Sequence, residues 1–145
     1  MDENVEMLEY IYKSSNGGHS SAENLIKALE NKDNKIKKLL EDINKGYEHF
    51  EKESHKLLKK YDRKVKTVGV MGKMMSKMGI NEEVMKDNSD SSMADMLIQG
   101  LTLGNLEMDK RIDNYEGQIE RKIMKIAKEY RDFGKEYVEK LKPFL

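Results

Sequence analysis

The chain holds three imidazoles, His19, His49 and His55, and none has a glutamate three positions before it. That spacing matters in helical proteins. A bundle that binds two iron ions takes one inward Glu from each of two helices and a Glu-x-x-His from each of the other two. With no cysteine, thiolate ligation and cysteine nucleophilic catalysis are also excluded. No nucleophile with its base and no paired acid and base can be picked out, so no catalytic residue, no metal ligand and no cofactor is expected. Two other groups carry chemistry. Ser15, His19, Tyr47, Asn105 and Tyr130 would line a small polar pocket at mid-bundle, because buried hydroxyls and amides need partners and bundle interiors accept ligands. Met71, Met74, Met75 and Met78 form the second group. Thioethers adapt to protein partners and can hold Cu(I), although a methionine face also serves as a lid packed on its own bundle.

Four segments with helical period must position these residues. Leu8, Ile11, Ser15, Gly18, Ala22, Leu25 and Leu29 recur at spacings of three and four, which predicts one helix over 3–30. The register runs unbroken through Ser14 to Ser21, whose composition alone would read as a loop. Ile36, Leu40, Ile43, Tyr47, Phe50, Ser54, Leu57 and Tyr61 predict a second helix over 33–63. A third, 91–115, carries Ala94, Ile98, Leu101, Asn105, Met108 and Ile112, with N-caps offered by Ser89 to Ser92. The fourth, 118–142, carries Ile119, Ile123, Ile126, Tyr130, Phe133, Tyr137 and Leu141 and stops at Pro143. Short turns make two antiparallel hairpins, 3–63 and 91–142, of a single domain spanning 1–145. Residues 64–90 form a long crossover containing a short amphipathic helix, long enough to let the second and third helices run parallel.

A shift of 83 positions superimposes the two hairpins. Ile36 meets Ile119, Leu40 meets Ile123, Ile43 meets Ile126, Tyr47 meets Tyr130 and Phe50 meets Phe133, and Lys-Glu follows both phenylalanines. Gly17 meets Gly100 at the same shift, which reads as an internal repeat. Folding each hairpin about its turn sets Gly17 and Gly18 against Gly46 and Tyr47, and Gly100 and Gly104 against Phe133 and Tyr130. The glycines then either permit close helix packing around two tyrosines or border the polar pocket.

The stretch Ser92-Met-Ala-Asp-Met-Leu-Ile-Gln-Gly-Leu-Thr-Leu-Gly104, with Met74-Met-Ser-Lys-Met-Gly-Ile80 before it and Phe133 to Leu145 after it, resembles small uncharacterised ferritin-like four-helix bundle proteins of anaerobic, spore-forming bacteria. The resemblance spans most of the chain and implies an all-α, ferritin-like bundle without a settled activity. Where that superfamily places metal, the inward residues here are Ser15, Gly18, Tyr47, Phe50, Ile98, Leu101, Tyr130 and Phe133, which fill space. Glu51 and Glu107 lie beside these stripes, either as solvated flank side chains or turned partly inward.

Balanced charge, 27 basic against 27 acidic side chains, argues against nucleic acid. The chain lacks any run of about 20 apolar residues, so no membrane span is expected. Its start does not read as an export signal, and cytoplasm is the expected compartment. The expected function is a non-catalytic binding or assembly module, engaging a protein partner or a second copy as a homodimer. The alternative is a degenerate ferritin-like protein that holds a small molecule or metal at the bundle centre.

Overall fold

Glu3–Ala28 (α1), Lys37–Lys59 (α2), Asp90–Tyr115 (α3) and Arg121–Leu141 (α4) are α-helices, and a 3-10 turn, Lys142–Phe144, closes the chain. The computed structural model describes residues 2–61 and 87–145, and among these every regular element is helical. No helix among them is long and apolar enough to cross a membrane. Met71, Met74, Met75 and Met78, and the amphipathic helix expected around them, lie outside the described residues.

Helix ends follow local chemistry. The Asp2 carboxylate accepts from the Asn4 amide at 2.8 Å and starts α1, and the Ser89 hydroxyl accepts from the Ser92 amide at 3.3 Å and starts α3. No side chain of its own region caps α2. Asp90 of α3 supplies the acceptors instead, taking Lys35 N at 3.2 Å, Ile36 N at 3.4 Å and the Asn34 amide at 2.9 Å. Gly117 turns the chain between α3 and α4 with φ of 77°, a left-handed conformation that costs glycine little.

These bonds also set the helix directions. The start of α3 sits on the α1–α2 turn through Asp90, while its end reaches the start of α1, where Tyr115 donates to Glu6 at 2.6 Å. Glu120, just before α4, donates its amide to Asn4 at 2.8 Å and accepts from the Tyr61 hydroxyl. Helices α2 and α3 therefore run parallel, α1 and α4 run parallel, and each hairpin is antiparallel. Tyr61 and Asn88 stand at opposite ends of the bundle, since Asn88 accepts from Asn34 in the α1–α2 turn.

A single apolar cluster joins all four helices, from Leu8, Ile11 and Leu25 through Leu40, Ile43 and Leu58 to Met108, Ile112, Ile123 and Leu141. The sequence stripes are right to within one helical position. In α2 the buried residue is Leu58 rather than Leu57, and in α3 Leu97 is buried while Ile98 is only partly so. At mid-bundle four rings interlock: Tyr47 meets Phe133 edge-on at 5.2 Å, and Phe50 meets Tyr130 at 5.0 Å. Tyr47, Phe50, Tyr130 and Phe133 thus fill the middle of the bundle with aromatic side chains.

Helix α1 is continuous through Ser14 to Ser21, and its small residues explain why. Ser15, Asn16, Gly17, Gly18, Ser20 and Ser21 are all buried against the bundle. A methyl group at position 18 would stand 2.5 Å from the Tyr47 ring, so glycine is what allows that approach. Helical propensity is weak here, and burial of the face compensates for it.

Candidate ligand-binding cleft

Helices α1, α3 and α4 enclose a cavity of about 500 Å³ with Tyr47 of α2 at its floor. Tyr10 and Ser14, one turn apart on α1, form one wall. Leu101, Gly104, Asn105 and Met108 of α3 form another, and Tyr130, Phe133 and Gly134 of α4 complete it. Glu107 and Arg111 also line the cavity and pair at 3.1 Å. The Arg111 guanidinium lies 4.0 Å over the Tyr10 ring, a cation–π contact that braces that wall. A methyl group at position 104 would meet nothing within 4 Å, so there is open space beside Gly104.

The phenols of the cavity keep their protons. Tyr130 and Ser14 share a hydrogen bond of 2.7 Å between their hydroxyls. Burial pushes the Tyr130 phenol well above its ordinary value, with Tyr47 adding to the rise and the Ser14 bond opposing it. Tyr47 is raised by burial and then by Tyr10. Tyr10 is raised first by burial and then by Glu107, against Arg111 and Ser14. Ser14 therefore has no base beside it, because its partner phenol keeps its proton. Three phenols and a serine hydroxyl offer donors and acceptors to a guest.

Of the five residues expected to share a pocket, Tyr47, Asn105 and Tyr130 come together here. Ser15 points elsewhere: its hydroxyl donates back to Ile11 O at 2.6 Å and Tyr12 O at 3.1 Å within α1. His19 lies on the α1–α2 seam between Glu23 and Glu48. The residues that sequence reasoning missed are Tyr10, Ser14 and Arg111. The i,i+4 pairs Tyr10 with Ser14 and Glu107 with Arg111 were the available signal, since each pair shares one helix face. Glu51 and Glu107 are both half-buried rather than simply solvated, and Glu51 accepts from the Asn16 amide at 3.1 Å.

The chain matches no known protein family, no characterised protein and no solved structure. The cavity's own chemistry is therefore the ground for a functional reading.

Proposed function

We propose that the protein is a non-catalytic binding module whose ligand is a small, uncharged, partly aromatic molecule carrying a hydrogen-bond acceptor. The supporting observation is the open space beside Gly104, bordered by phenols that keep their protons. An aromatic guest suits the Phe133 and Tyr130 rings, and an acceptor suits hydroxyl donors. The charged pair at the cavity is internally balanced, because Arg111 already faces Glu107. A free carboxylate or phosphate would have to break that pair. The parallel α2 and α3 support a ferritin-like arrangement with a long crossover, and burial at matched positions supports a repeated hairpin: Ile11 and Ala94, Leu25 and Met108, Tyr47 and Tyr130, and Leu58 and Leu141 are each buried 83 residues apart.

Ligand-observed NMR tests the reading with 4-hydroxyacetophenone and benzamide as neutral probes and benzoate as the charged control. Binding of the neutral probes, weakened at least tenfold by Gly104→Leu with the melting temperature held or raised, is the expected result. Equal binding by the variant, or preference for benzoate, would refute it.

A second reading rests on α3, where Leu103 is 67 % and Leu106 58 % exposed. Two exposed leucines one turn apart support self-association of two copies through that helix. Sedimentation should then show a dimer that Leu106→Glu converts to monomer, and a monomeric wild-type chain would discard this second reading.

A further inference from the structure

His19, Glu23 and Glu48 form, among the described residues, a group whose nitrogen and oxygen atoms lie within 4.8 Å of one another. It stands on the α1–α2 seam, and its residues take no part in lining the cleft. The imidazole is held from one side: its Nε2 is 2.9 Å from the Glu23 carboxylate one turn along α1. A proton on Nε2 leaves Nδ1 with a lone pair, and Nδ1 is buried without a hydrogen-bond partner. The nearest acid across the seam is Glu48, 3.7 Å from Nδ1, too far for a hydrogen bond. That separation suits a shared ion, because two ligands each about 2.1 Å from one tetrahedral zinc lie about 3.4 Å apart. A carboxylate on the far nitrogen of a metal-binding histidine is the usual arrangement that fixes its tautomer and ring plane.

Two more atoms on the seam lack partners. Asn16 is nine-tenths buried and gives its amide N–H to Glu51, but its Oδ1 has no partner, and neither does the buried Oδ1 of Asn44. The pairs Asn16 with Glu51 and His19 with Glu48 step in opposite directions along two antiparallel helices. One further turn sets Glu23 opposite Asn44 in the same register. Asn16 and Asn44 thus flank the histidine, three residues before it on α1 and four residues before Glu48 on α2.

We propose that His19 Nδ1 and the Glu48 carboxylate bind one divalent transition-metal ion of the zinc class, with Glu23 as the positioning residue on Nε2. The ion completes its shell with water, so it joins the two helices of one hairpin without entering the bundle centre. Imidazole with carboxylate favours zinc over magnesium, whose preference is for oxygen alone. This inference does not depend on the cleft or its ligand.

Zinc chloride titrated into the untagged full-length protein, with heat and thermal melting as readouts, tests it. One zinc per chain is expected, with no comparable heat from magnesium. His19→Gln and Glu48→Gln should each weaken binding by at least about 100-fold, and Glu23→Gln by about 10- to 100-fold. His49→Gln should leave it unchanged. Melting without zinc confirms that the variants fold, and ¹⁵N imidazole spectra of the wild type should show zinc moving His19 while His49 and His55 stay. The proposal fails if millimolar zinc does not bind, if His19→Gln binds as the wild type does, or if the shifted imidazole is His49 or His55.

Discussion

The two hairpins present the same pair of rings 83 residues apart and seat them in opposite ways. In the first, Gly18 lets α1 close directly onto Tyr47, and Gly46 takes the edge of Phe133 from the other hairpin. In the second, the position matching Gly18 is Leu101, which is buried and lines the cavity, while Gly104 one turn on faces empty space. A leucine cannot admit a ring at the approach a glycine allows. Helix α3 therefore keeps a gap where α1 has none, and a small side chain next to a large one leaves that gap unfilled. Glycine alone does not imply tight packing. What lies across from it decides.

That contrast can be broken most forcefully at the rings. Phe50 is buried and Phe133 only partly so. Phe50→Ala should cost about 4 kcal/mol in urea unfolding, and Phe133→Ala roughly half as much, because a ring that is only partly buried removes less apolar surface from water. Equal losses would mean that the second hairpin packs as densely as the first.

Alanine at the two glycines sharpens the point, since the expected signs differ. Gly18→Ala collides with Tyr47 and should destabilise by about 2 kcal/mol, through overpacking that outweighs the helical preference for alanine. Gly104→Ala meets open space and should stabilise by up to about 1 kcal/mol, the propensity gain alone. Thermal melts of the two variants suffice, and a loss at both positions would remove the distinction between the hairpins.

The phenols provide the finest test. Tyr47 and Tyr130, one from each hairpin, have folded values raised above the ordinary 10, so the folded state holds protons that the unfolded chain releases. Stability should be level below pH 10 and fall as pH rises past it, by at most about 1.4 kcal/mol per pH unit for each phenol. Guanidinium unfolding between pH 8 and 11 reads the slope. Tyr47→Phe and Tyr130→Phe should each flatten it, and Tyr130→Phe should also lose about 1 kcal/mol at neutral pH with the Ser14 bond.

Local patterning carried most of the architecture. Apolar residues at spacings of three and four define a helix and its inward stripe without reference to any neighbour, which is why four helices, the cap at Ser89 and the mid-bundle rings were legible from composition and order. Even Ser14 to Ser21, which reads as loop by residue type, was recoverable from its register. The cleft was only half legible: Tyr47, Asn105 and Tyr130 lie on the inward stripes, whereas Ser14 replaced Ser15 because neighbouring residues on a helix point about 100° apart. Periodicity resolves a face, not the partner across it.

Tertiary structure alone decided three things. Asp90 reaches from one hairpin to supply acceptors at the start of α2. Two carboxylates from different helices bracket His19, although nothing in the order of the residues pairs position 19 with position 48. Space remains beside Gly104 and none beside Gly18, because the distance between two helices is set jointly by side chains from both, and no single stretch of sequence contains that information.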